Sequence, residues 1–165
     1  MAKRQVFFSF QYKPDNWRAA MVRSMGKVDN SSTFSDNDWE EVRMKSDTAI
    51  KKWIDDQMKM RSCIVVLIGS TTSQSKWVKY EIERAYNLNK GIVGIYINKL
   101  EDANGNQSNE GCNPFFSMTT WDGKRLSNYV ETFRSSYSTS KYVYNDIANN
   151  IEGLIERAIE KAGTY

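Results

Sequence analysis

The chain has 165 residues, 40% of them apolar and 26% charged, with a formal net charge of +3. That is enough for one domain, 1–165, with a self-sufficient core, and the balance argues against disorder and against a nucleic-acid grip, which needs a clustered basic face. With no His and only two Cys, His-built zinc sites, Ser-His-Asp triads and histidine bases are excluded.

Gln5 to Phe10 is a β-branched and aromatic run that reads as a buried strand. It begins directly after two basic residues, Lys3 and Arg4, with no cleavage site for a secretory signal. Gln11 to Asn16 contains Pro14 and reads as a loop, and Trp17 to Met25 as a helix with a stripe of Trp17, Ala20, Met21 and Met25. Gly26 to Asn37 is polar and weakly patterned, with room for a short strand at Thr33-Phe34.

Ser46 or Asp47 can cap a helix that buries Ala49, Ile50, Trp53, Ile54 and Met58. Lys51-Lys52 on that helix is followed one turn later by Asp55 and Asp56, the pattern of a solvated face. Cys63 to Ile68 is continuously apolar, as expected of a strand covered on both faces, and is too short to span a bilayer. Trp77 to Leu88 is a helix ended by Gly91, and Ile92 to Ile97 a further central strand.

Beyond Asn98 the pattern loosens, with turns at Asn104-Gly105-Asn106 and Glu110-Gly111 and a hairpin tip at Trp121-Asp122-Gly123-Lys124. Asp146 to Ala162 closes the chain as a helix with one apolar face. Strands alternating with helices at this spacing predict a doubly wound, mainly parallel α/β sheet of about five strands, with helices on both faces. The expected setting is cytoplasmic, without membrane or nucleic-acid partners.

In such a sheet ligands gather beyond the carboxyl ends of the strands, where strand order reverses. The loops after Phe10, Gly69 and Asn98 therefore line the expected site, the first bringing Ser9, Phe10, Gln11 and Lys13. The first loop has neither GxxxxGK[ST] nor GxGxxG, so a P-loop or dinucleotide Rossmann site is not supported. A phospho-receiver is not supported either, because Ser9-Phe10 and Ile68-Gly69-Ser70 stand where acidic residues would be needed. On the helix from Trp77, the wheel puts Val78, Ile82, Ala85 and Asn89 on the sheet and Trp77, Glu81, Arg84 and Leu88 on the shoulder. A half-shielded carboxylate beside an indole can stabilise a developing cation, although helix dipoles alone also favour Glu near an amino end.

The stretch Val65 to Ser70, then Ser75-Lys76-Trp77-Val78-Lys79-Tyr80-Glu81-Ile82, resembles the TIR pattern of apolar strand, Ser-rich loop and Trp-x-x-x-Glu. Phe7-Phe8-Ser9-Phe10 is similar to the motif ending the first TIR strand. The fuller likeness is to the TIR-like ThsB proteins of Thoeris anti-phage systems. It is carried by Met1 to Arg4 with Val6 to Phe10, Trp39-Glu40, Ser46-Asp47, Trp77 to Ile82, Gly94 to Asn98, Asn113-Pro114-Phe115 and Asp122-Gly123-Lys124.

That resemblance implies cleavage of NAD at its nicotinamide–ribose bond and cyclisation of ADP-ribose into a signal for an effector protein. NAD is then the substrate, no cofactor or metal is required, and Glu81 takes the position of the catalytic glutamate. It also implies an active homo-oligomer. Among supporting residues, Phe10 either stacks on a nucleotide ring or packs the strand end, and Ser9 can bond ribose or phosphate. Trp77 either walls the pocket or edges the core. Ser46 and Asp47 either cap a helix or meet a phosphate or ribose, and Lys13 is placed for a diphosphate. The alternative is a non-catalytic TIR adaptor that works by self-association.

Overall fold

The structure, a computed structural model, describes residues 3–29, 42 and 44–165. The segment at Thr33-Phe34 and the pair Trp39-Glu40 lie outside the described residues. Four strands form one parallel sheet in the order β1 (Val6–Ser9), β2 (Cys63–Ile68), β3 (Gly91–Tyr96) and β4 (Glu131–Phe133). About five strands and a reversal of strand order were expected. The described residues show four, and their order runs in one direction.

β2 and β3 are buried at every position, which is why their sequences are apolar without alternation. β4 has three half-buried residues. Its Glu131 is bonded twice by Arg157, at 3.0 and 3.1 Å, and so short and polar a segment has no strand-like pattern to read.

Helices α1 (Tyr12–Arg23) and α4 (Ser140–Lys161) cover one face of the sheet, and α2 (Asp47–Lys59) and α3 (Lys76–Asn87) the other. On the first face Val6, Phe8 and Phe10 meet Ala19 and Val22 of α1 and Ile147, Ile151 and Ile155 of α4. On the second, Phe7, Ile64, Val66 and Ile68 meet Ile50, Ile54 and Met58 of α2 and Val78, Ile82 and Ala85 of α3. The side chains of β1 thus alternate between two cores. This alternation aims Ser9, like Phe7, at the α2/α3 face.

α1 departs from the sequence reading. It starts at Tyr12, not Trp17, with Pro14 in its first turn, where a helix leaves backbone N–H groups unpaired and loses nothing to proline. Its buried residues are Asp15, Arg18, Ala19 and Val22, whereas Trp17 is 53% exposed. The helix is turned to bury a charged pair that apolar periodicity cannot reveal. α4 likewise begins six residues before Asp146, adding Val143 to its buried face. The turn at Trp121–Lys124 closes only an isolated antiparallel bridge between Thr119 and Arg125. No helix among the described residues is long and apolar enough to cross a membrane.

Candidate active site

At the carboxyl edge of β1 and β2, Glu81 projects inward from α3. Ser75 caps this helix by accepting from the Val78 N–H at 3.3 Å, and α3 touches β1 as well as β2 and β3. The buried residues of α3 are Val78, Glu81, Ile82 and Ala85. The wheel put Glu81 on the half-shielded shoulder, but the helix is rotated so that the residue is only 2% exposed. Arg84, from the same expected stripe, instead bonds Asp55 of α2 at 2.9 Å.

Ser9 is fully buried opposite Glu81. Its hydroxyl lies near enough to favour the ionised carboxylate, yet neither Ser9 Oγ nor Glu81 Oε2 completes a hydrogen bond of good geometry. We read them as facing groups with no settled bond between them. Burial dominates the electrostatics and pushes the Glu81 carboxyl up to about 8, with Ser9 opposing the shift. A buried carboxyl group is normally paired because desolvation is costly. No ion pair to Glu81 exists among the described residues.

The loops around this pair are tied together. Thr71 donates its hydroxyl to Gln11, joining the loop after β2 to the start of α1. The Gly69 N–H donates to Thr72 Oγ1 at 2.7 Å. The Asp15 carboxylate lies so close to Gly69 that a Cβ there would stand 2.1 Å from Oδ2, and a Cβ on Gly111 would stand 2.2 Å from the Gly69 carbonyl. Arg18 secures the far side. It donates to Asp15 Oδ1 at 2.9 Å, to the Leu100 carbonyl at 2.7 Å and to the Asn106 carbonyl at 2.7 Å. Burial raises the Asp15 pKa while Arg18 opposes the change.

Of the residues singled out from sequence, the fold brings together Ser9 and Glu81. A second group forms where the amino ends of α2 and α3 meet. There Asp47 accepts from Lys76, the Lys76 ammonium sits 4.8 Å from the Trp77 ring centre, and Ser46 Oγ caps α2 by accepting from the Ala49 N–H at 3.3 Å. Trp77 is half-buried and meets Tyr80 edge-on at 6.0 Å. Phe10 belongs to neither group. It is 5% exposed in the opposite core, with Tyr12 at 6.4 Å and Arg23 at 5.8 Å. Lys13 is exposed on the first turn of α1. Sequence reading missed Asp15 and Arg18, whose only signal is their i, i+3 spacing after Pro14. Among the described residues, no cluster of three or more Cys, Asp or Glu could hold a metal ion.

Comparison with known proteins gives two findings. Residues 7–102 match the family model described as Thoeris protein ThsB, TIR-like domain. The chain is also 38% identical over 140 residues to a protein of Bacillus cereus (strain MSX-D12) named "Putative cyclic ADP-D-ribose synthase ThsB1". That alignment covers 80% of this chain and 72% of the relative.

Proposed function

The chain belongs to the TIR-like ThsB proteins of Thoeris systems, and from that premise we propose that it cleaves NAD at the nicotinamide–ribose bond and closes the ADP-ribose into a cyclic signal for an effector protein. The observation that carries this reading is Glu81, a carboxyl group buried at the carboxyl edge of the sheet with no cation to pair with among the described residues. An acidic side chain kept in that state, facing a buried hydroxyl, suits a site that receives its positive charge from a ligand.

The chemistry needs little else. As the bond from ribose C1′ to the pyridinium nitrogen breaks, its electron pair neutralises the ring, and nicotinamide leaves without a general acid. Positive charge develops on the ribose, and an ionised Glu81 beside it stabilises that charge. A hydroxyl of the same ADP-ribose then attacks C1′ and gives up its proton, with Glu81 as the acceptor. Water at the same carbon would give open ADP-ribose, so closing the site against water selects the cyclic product. Burial holds Glu81 largely protonated at neutral pH. A bound pyridinium cation lowers its pKa and ionises it in place. The adjoining amino ends of α2 and α3 supply positive potential suited to the diphosphate.

The test is chromatography of NAD incubated with the wild type and with Glu81→Gln, both checked for folding by circular dichroism. The expected result is release of nicotinamide and a cyclic product by the wild type, with at least a hundredfold loss in Glu81→Gln. Equal turnover by the two proteins would remove Glu81 from the reaction.

A further inference from the structure

A second cleft lies beyond β4, built by the segment leading into α4 and by the first turns of that helix. Its walls are Tyr137 and Tyr142, with Asn145, Asp146 and Asn149 completing a cavity of about 270 Å³. The two tyrosine rings stand 5.8 Å apart at 48°, forming an open V. They are 50% and 57% exposed. Glu81 lies over the β1/β2 end of the sheet, so the two sites are separated by roughly 10–15 Å of sheet at about 4.8 Å per strand.

Exposed aromatic rings on a loose loop would mean little, but this segment is held from every side. The Lys99 ammonium donates to the carbonyls of Ser135 at 3.2 Å and Tyr137 at 3.0 Å. The Gln107 amide donates to the Ser138 carbonyl at 2.7 Å, and Ser140 Oγ accepts from the Glu101 N–H at 2.9 Å. Ser135 Oγ donates to Asp146 at 2.7 Å. The rings are therefore presented in a fixed arrangement, and a ligand would not have to order the segment that receives it.

We propose that this cleft binds the flat ring of a nucleobase, stacked on Tyr142 and closed on its other side by Tyr137, with its polar edge read by the amides of Asn145 and Asn149. Three observations select that class. Neither amide has a hydrogen-bond partner among the described residues, and each offers an N–H donor beside a carbonyl acceptor, the complement of an adenine-type edge. The cavity, about 270 Å³, lies just below the usual lower bound of about 300 Å³ for ligand pockets, so it holds a single ring system and leaves the rest of a larger ligand in solvent. Its one charged wall, Asp146, is acidic, and the nearby Lys99 is engaged with carbonyls, so the site reads the base and not a phosphate. The inference stands apart from the Glu81 reading.

The probe is adenosine, followed by saturation-transfer NMR on the full chain. Saturation is expected on the base protons, with affinity weakened roughly tenfold or more in Tyr142→Ala and in Asn149→Ala. Both positions are exposed, so the variants should fold. Trp121→Ala, which removes an 84% exposed ring elsewhere, should leave binding unchanged. No transfer at millimolar adenosine would overturn the proposal. So would equal binding by wild type, Tyr142→Ala and Asn149→Ala, or equal competition by methyl glucoside.

Discussion

At the scale of single residues, Glu81 ties the stability of the folded chain to pH. Its carboxyl pKa is about 8 in the folded chain against 4.5 for the unperturbed group. A group whose folded pKa is raised contributes stability that is whole below the unfolded pKa and is lost as pH climbs through the folded one. The window is therefore about pH 4.5 to 8, and the loss approaches about 1.4 kcal/mol per pH unit within it. Glu81→Gln has no such loss, so it should be more stable than the wild type by roughly 3 kcal/mol at pH 7 and less sensitive to pH. Urea melts at pH 5, 7 and 9 measure this, and parallel pH dependence in both proteins would contradict it. Catalysis carries the opposite sign. If Glu81 must be ionised, kcat/KM for NAD should rise about tenfold per pH unit up to about pH 8 and then level. A flat profile from pH 6 to 8 would separate this carboxyl group from the rate.

At the scale of elements, α1 works as a latch as well as a cover. Arg18 is 3% exposed and bonded to Asp15, Leu100 and Asn106, so one side chain joins α1 to the loop after β3. Removing one partner of a buried pair leaves the other charged and unsolvated, at a cost of about 3–5 kcal/mol. Arg18→Ala is therefore expected to lose stability in that range, with Asp15→Asn/Arg18→Met recovering part of it. Hydrogen exchange in Arg18→Ala should quicken first in residues 98–111 and leave β2 protected. Uniform acceleration across the sheet would argue against a local latch. The same loop carries Lys99 and Gln107, which hold the Tyr137 segment, so α1, the loop after β3 and that segment share one scaffold.

At the scale of the whole molecule, the two cysteines report on different layers. Cys63 is buried at the start of β2 and Cys112 is exposed, and burial drives the Cys63 thiol far above its ordinary range. The native protein should therefore react with a thiol reagent at one site quickly. The second thiol should appear only at the rate of global unfolding, because β2 lies between two strands and two helical layers. Two fast thiols in the native state would mean that the sheet opens locally, against the packing of β2 between its two cores.

Taken alone, the sequence determined the parts that follow from periodicity and local chemistry. β2 was legible because both its faces are apolar, and α2 because Ser46 caps a clean stripe. Hydrophobic burial is written residue by residue, so a chain that buries apolar surface announces where it does so. Only the tertiary structure decided that α1 buries Asp15 and Arg18 while exposing Trp17, that Phe10 and Ser9 face opposite cores, and that Glu81 lies inside with no ion-pair partner among the described residues. Those outcomes depend on which groups from distant segments meet. A charge is buried where another part of the chain supplies its partner, as Arg18 does for Asp15, whereas Glu81, with no cation beside it among the described residues, is held largely neutral by burial.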